Sequence, residues 1–373
     1  MNMRARVLML AIAVMCVLLP GTPARAESSV FGTLVAGGTF TQAGGVTANR
    51  IATWNGAAWS ALTGPGGTGL DGSVHAQTVY NGQLVIGGNF LNADGVRVNG
   101  IARWDGTSWQ PLGNGLMTMG LDFVDALTVY NGELIAGGQF LRAGGQFVNH
   151  IARWNGSTWS PLTGPSGTGM DMASVWDLTV YNGALIAAGG FTAAGGVSAS
   201  RVARWNGSTW SALGSGTTGD ILAITVYNGE LIVAGSFAEA GGVPVGNIAR
   251  WNGSTWSALP GPSGAGLNEH ARAITVHNGG VVVAGWFTQA GGVAANHIAR
   301  WNGTAWSALG SGTDDFVYSL GVYGSDLVAG GFFDEAGGVT VNHVARWNGS
   351  AWSALSGPSA VGTNDTVFSL LAP

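Results

Sequence analysis

The sequence predicts an all-β fold, a single seven-bladed β-propeller with four antiparallel strands per blade, and three observations carry that prediction. The stretch Ile151-Ala152-Arg153-Trp154-Asn155-Gly156-Ser157-Thr158-Trp159-Ser160 recurs seven times with small changes. The spacing is about 46 to 51 residues, inside the window where self-similarity means solenoids or propellers. Upstream of each copy lies a second pair of apolar segments joined by a tight turn, so each unit holds four short strands and two hairpins. The first unit opens on Phe31-Gly32-Thr33-Leu34-Val35, which matches a second strand, and the last ends on Thr366-Val367-Phe368-Ser369-Leu370-Leu371, which matches a first strand. The C-terminal strand is expected to complete the N-terminal blade and close the ring without a free edge.

Residues 1–26 read as an export signal ahead of a propeller spanning 27–373. Arg4 and Arg6 precede an apolar run from Val7 to Leu19, and Ala24-Arg25-Ala26 is a cleavage site of the Ala-x-Ala kind. The run is short for a membrane span, no other stretch approaches one, and Val14-Met15-Cys16 is a poor lipoprotein box. Cys16 is the one cysteine, so the mature chain holds none and relies on its packed blades rather than on disulfides. The protein is expected to be secreted, extracellular or periplasmic, and monomeric. Its formal charge is −5, every basic residue is Arg, and removing Arg4, Arg6 and Arg25 leaves about −8. That balance argues against nucleic acid or an anionic membrane as partner.

Each unit then runs the same course. Thr128-Val129-Tyr130-Asn131-Gly132-Glu133-Leu134-Ile135 reads as strand, type I′ turn, strand, because Asn and Gly tolerate the positive φ this turn needs. A Gly-Gly or Ala-Gly pair follows, such as Gly137-Gly138, then a Phe and an Ala-Gly-Gly turn. The last hairpin turns at Asn155-Gly156, or Asp105-Gly106 in the second copy. A two-residue turn there pairs Arg153 with Thr158 and sets the two Trp of a copy diagonally on one face. These structural pairs are Trp54 and Trp59, Trp104 and Trp109, Trp154 and Trp159, Trp205 and Trp210, Trp251 and Trp256, Trp301 and Trp306, and Trp347 and Trp352. Gly, Pro, Ser and Thr fill the loops between units.

Leu134-Ile135-Ala136-Gly137-Gly138 and Trp154-Asn155-Gly156-Ser157-Thr158-Trp159-Ser160-Pro161-Leu162 resemble the Kelch repeat and the galactose-oxidase-type propeller. The unit is more similar still to the Gly/Trp repeats of secreted bacterial propellers. The resemblance covers about Val30 to Pro373 and departs from Kelch in having Trp for Tyr and a shorter outer hairpin. It implies the fold and says almost nothing of activity. A copper–radical oxidase of that kind needs a Cys–Tyr crosslink, for which the mature chain has no Cys. Sialidase-like hairpins share Gly156 to Trp159, but Trp154 stands where their Asp would be.

Three residue sets could carry chemistry. Acids precede each first strand (Asp71, Asp122, Asp171, Asp220, Glu269, Asp315 and Asp365), without the alternating spacing of a calcium loop. An Arg precedes the first Trp in six copies, Arg103, Arg153, Arg204, Arg250, Arg300 and Arg346, and reads as a structural fork to backbone carbonyls between blades. The third set is the one position near the start of the first strand where near-identical copies differ: His75, Asp125, Trp176, Leu222, Arg272, Tyr318 and Phe368. The next position is Ala or Ser, except for Asp177, which suits a crowded axis. A varied set beside the central channel is what an asymmetric pocket needs, so His75, Asp125, Trp176, Arg272, Tyr318 and Phe368 are the candidate ligand-binding residues.

No catalytic residue, metal site or cofactor is expected. His150, His297 and His343 recur at one turn position, one per blade, and cannot gather on one metal. The sequence predicts a non-enzymatic binding or scaffold propeller that recognises a glycan, surface polymer or protein on its loop-rich face. The alternatives are a polysaccharide hydrolase or lyase using Asp125 and Asp177, and a purely structural surface repeat.

Overall fold

A computed structural model describes residues 30–116, 123–172, 174–262 and 264–373. Residues 1–26 and Asp122 lie outside them. The described chain forms seven four-stranded antiparallel sheets, and none of its helices is long and apolar enough to cross a membrane. Blade 3 shows the plan: inner strand Val124–Tyr130, second strand Glu133–Gly138, third strand Ile151–Trp154, outer strand Trp159–Pro161. Blade 1 is built as expected from both ends of the chain, with Val367–Leu371 pairing Leu34–Gly38 ahead of Ile51–Trp54 and Trp59–Ala61.

The second strands are buried along their length, as the layer between two neighbouring sheets must be. Large side chains fill the gaps between blades, with Phe40, Phe90, Phe140, Phe191, Phe287 and Phe333 all fully buried. Two rows of hydrogen bonds run between neighbouring blades, the first broken only at Trp306, whose indole nitrogen is buried without a partner. The outer-strand indole donates to a leucine carbonyl of the preceding blade, as in Trp159 to Leu112 (2.9 Å) and Trp256 to Leu213 (2.9 Å). The last residue of the inner strand reaches forward, as in Tyr181 to Gly229 (3.1 Å) and Tyr227 to Gly279 (2.9 Å). Trp59 to Leu355 (2.9 Å) and Tyr323 to Gly32 (3.4 Å) carry both rows across the closure.

The two Asn-Gly hairpins differ, and the outer one departs from the expected register. Asn131 (φ 50°) and Gly132 (φ 78°) form the two-residue turn their sequence requires. In the outer hairpin Gly156 alone has positive φ (101°), and Asn155 Oδ1 accepts from the amides of Ser157 and Thr158, each at 2.9 Å. This side-chain bracket makes the loop four residues long. Trp154 therefore faces Trp159 directly, with ring centroids 5.3 Å apart, and Arg153 faces Ser160 rather than Thr158.

The Ala-Gly-Gly turns are the tips of small two-stranded ribbons, such as Arg142–Ala143 with Gln146–Phe147. The loop entering each blade bridges to that blade's ribbon, as at Met170 with Ala194 and Leu267 with Ala290. Ribbons and interblade loops thus share the face opposite the inner hairpins, next to the start of each inner strand.

Candidate functional site: the channel mouth

Every inner strand carries a β-bulge, and every bulge falls on the variable position. Val74 pairs with Gly88 and Ala76 with Gly87, which leaves His75 unpaired between them. The same shift skips Asp125, Trp176, Leu222, Arg272, Tyr318 and Phe368. A bulge puts two residues opposite one and re-aims the extra side chain. Here the partner is the second residue of the doublet, which is Gly in all seven blades: Gly38, Gly88, Gly138, Gly189, Gly235, Gly285 and Gly331. A methyl group on Gly138 would overlap the Phe123 carbonyl oxygen, and the other six are as tight against their inner strands. The doublet is therefore the seat of the bulge.

All seven bulge residues are half-buried, six of them between buried neighbours, and together they line one cavity of about 310 Å³ at the mouth of the channel. One wall is aromatic. The His75 imidazole stacks on Phe368 (5.0 Å, 22°), and Tyr318 meets Phe368 edge-on (5.5 Å, 74°). Opposite them the Arg272 guanidinium lies over the Trp176 ring at 5.2 Å, a cation–π contact. His75 Nε2 is 2.8 Å from the Ser73 hydroxyl, and its Nδ1 is 3.8 Å from Asp125 Oδ1. Asp125 Oδ2 is buried without a hydrogen-bond partner in the protein.

Burial sets the charges. It lowers the His75 pKa to about 4, helped by the nearby Arg272 charge. It raises Asp125 to about 7 against the pull of Arg272, and raises Asp177 to about 7 against the Ile224 and Leu178 amides and Arg272. His75 and Asp125 are consequently never both charged: below pH 4 the acid is neutral, and above pH 7 the imidazole is. Their contact is one of position rather than an ion pair. Arg272, kept protonated despite its burial, gives the mouth a net positive charge in mild acid that the two carboxylates offset as pH rises.

This gives a testable pH dependence. The folded Asp125 holds its proton to about pH 7, whereas an unfolded one releases it near 3.8. Between those values the folded state binds more protons, so the contribution of Asp125 to stability falls as pH rises. Asp125→Asn is expected to gain on the native protein from pH 4 to 7, by at most about 4 kcal/mol above pH 7. Urea unfolding at pH 5 and pH 8 measures it. An equal difference at both pH values would show that burial does not hold the proton.

The other two sets have structural work. Asp71 Oδ1 accepts from the Leu91 and Asn92 amides (2.8 and 2.9 Å), and Asp171 Oδ1 from those of Thr192 and Ala193 (2.9 Å each). The equivalent bracket in other blades is Asn268, Asp314 or Asn364, so Glu269, Asp315 and Asp365 stand one residue past it. No group of acids, His or Cys fit for a metal occurs among the described residues. The ion pairs of the Arg set fall within blades, Arg153 with Glu133 (3.4 Å), Arg250 with Glu230 (3.5 Å) and Arg346 with Asp326 (3.2 Å), while Arg250 also lies over the Trp301 ring of the next blade at 5.9 Å. Arg300 alone follows the expected pattern of a carbonyl partner, Asn278 (2.8 Å), and this lies in its own blade. His150, His297 and His343 hold left-handed backbone (φ 65° to 72°) before the third strand.

Sequence reasoning missed Phe123 and Trp286, which sit at the rim beside the bulges. Phe123 meets His75 edge-on at 5.2 Å. Trp286 follows the doublet of blade 6, where five other blades place Thr39, Asn89, Gln139, Gly190 and Ser236. That contrast between copies was the available signal.

Comparison with known proteins agrees with the architecture. A family model described as a domain of unknown function (DUF5122) beta-propeller matches residues 81–104 and 278–303. No curated protein matches. Among solved structures, the extracellular domain of a one-component system from B. thetaiotaomicron aligns with TM-score 0.52 at 8% identity, over 87% of this chain and 40% of that one. The WD40 beta propeller domain of Doa1 aligns with TM-score 0.49 at 14% identity, over 81% and 87%. At these identities the likeness is one of fold, and the chain is a seven-bladed β-propeller.

Proposed function

We propose that the mature protein, residues 27–373, is an exported, non-enzymatic binding propeller whose channel mouth takes the end of a glycan. One observation carries the reading: the position near the start of the inner strand at which near-identical copies differ is the bulge position, and all seven bulge residues line one cavity of about 310 Å³. Such a volume is at the small end for ligand pockets and suits a terminal sugar ring. Trp176, Tyr318 and Phe368 offer ring faces, and His75, Asp125 and Arg272 offer hydrogen bonds. The Kelch-like subtype rests on the doublet and Trp motifs and fits a binding role. A hydrolase reading draws less support, because both Asp177 oxygens are occupied by backbone amides, those of Leu178 and Ile224 at 2.7 Å each.

The test is a glycan array probed with residues 27–373 and with Trp176→Ala. The native protein is expected to bind a defined set of glycans, and the substitution to weaken binding at least tenfold, the scale of a lost stacking ring at a binding centre. Binding unchanged by the substitution would remove the channel mouth from the reading. An array without signal would remove the glycan.

A further inference from the structure

We propose a second carbohydrate subsite on the rim of blades 6 and 7, outside the channel mouth, where the Trp286 indole carries a neutral pyranose ring of the same glycan. The proposal rests on the preceding reading for the class of ligand and on separate observations for the site.

The chain has sixteen tryptophans, and fourteen of them occupy the paired third- and outer-strand positions. The two that remain are Trp176 and Trp286, and both lie at the end of the blades where the bulges are. Trp176 is the bulge residue of blade 4. Trp286 directly follows Gly285, and its amide donates to His270, two residues before the bulge residue Arg272 (2.9 Å). A tryptophan is thus present where five other blades carry Thr, Asn, Gln, Gly or Ser, so the repeat architecture does not account for it.

The indole is both exposed and held. Trp286 is 43% exposed, whereas thirteen of the fourteen repeat tryptophans are buried and Trp347 is half-buried. Phe316, from the next blade, stacks on it at 4.7 Å and 25°. His297 in turn meets Phe316 edge-on at 5.6 Å. A ring fixed in this way loses little conformational freedom when a ligand settles on it. Phe332, the residue equivalent to Trp286 in blade 7, is 52% exposed, so the aromatic surface continues along the rim.

The edges of the shelf are polar. The His270 ring lies 5.5 Å from the Trp286 ring, and its Nε2 is 3.2 Å from Glu269 Oε2, with both side chains open to water. A pyranose presents one C–H face and a rim of hydroxyls. An aromatic plane beside an exposed imidazole–carboxylate pair matches that pattern, whereas a hydrophobic peptide would strand the pair. Phe316 is two residues before Tyr318, which lines the mouth, so a chain whose end fills the mouth needs only to extend past the start of that strand to reach Trp286.

The experiment is the same array, with each bound glycan then titrated as a length series from monosaccharide to tetrasaccharide. It compares the native protein, Trp286→Ala, Trp286→Phe and Trp176→Ala. Trp286→Ala is expected to weaken the longer members about tenfold, to leave the monosaccharide unchanged and to keep the native melting temperature. Trp286→Phe is expected to recover most of the loss. Longer members bound equally by the native protein and Trp286→Ala would overturn the subsite while the mouth stands. Loss in Trp286→Ala with none in Trp176→Ala would overturn the mouth and keep the shelf. An array without signal would overturn both.

Discussion

A chain ending at Asp365 is expected to lose cooperative unfolding and to aggregate. The deletion removes the whole inner strand of blade 1, Val367–Leu371, and leaves Leu34–Gly38 as an open edge facing the channel. Val367 is fully buried, and Leu370 packs into the same core as Phe40 and Trp54. Losing four apolar side chains of partial to full burial costs about 5 kcal/mol or more. A domain has roughly 5–15 kcal/mol in all, so closure decides whether the ring is stable. The comparison that isolates closure from mere shortening is a permuted chain with residues 366–373 placed directly ahead of Val30. The termini permit this, since the Gly32 amide already lies 3.4 Å from the Pro373 carbonyl. The permuted chain is expected to regain the native urea midpoint. If the truncated protein unfolds at that midpoint unaided, the C-terminal strand does not close the ring.

Closure was legible because it needs only strand identity: Thr366 to Leu371 matches Phe316 to Leu320 by eye. The site was legible in part, and by contrast rather than by motif. Copies that agree closely along the inner strand disagree sharply near its start, and the structure brings all seven of those residues to one cavity. The bulge that does this was hidden, because an inserted residue leaves the apolar pattern of a short strand nearly intact. Its mark was the second glycine of the doublet, which reads in the sequence as a simple turn signal. The outer hairpin misled for a related reason. Asn131-Gly132 and Asn155-Gly156 are the same dipeptide, and only the bracketing of the Ser157 and Thr158 amides by the Asn155 side chain separates their loops. Trp286 was passed over because two copies departing, as Trp286 and Phe332, from a position that is otherwise Thr, Asn, Gln, Gly or Ser look like drift until their exposure is known.

That second glycine carries the other large effect. Gly138→Ala is expected to destabilise the protein by roughly 3 kcal/mol or more, the range of overpacking against a rigid partner. The cause is not φ, since Gly138 is not among the left-handed residues. It is that the new methyl would meet the Phe123 carbonyl and lie about 3.1 Å from the Asp125 amide, both backbone groups of the bulge. Gly145→Ala is the contrast: φ there is 89° with open space around the Cβ position, so its cost is of the order of 1 kcal/mol. Relief of the Gly138 clash requires the inner strand to move away at Phe123–Asp125, which displaces two residues of the mouth. The variant should therefore lose glycan binding under conditions where it remains folded, while Gly145→Ala keeps it. Urea midpoints and array titration of the two variants read both effects together. Equal midpoints would mean that the doublet glycine serves turn flexibility and not the bulge, and the physical link between the repeat motif and the site would be lost.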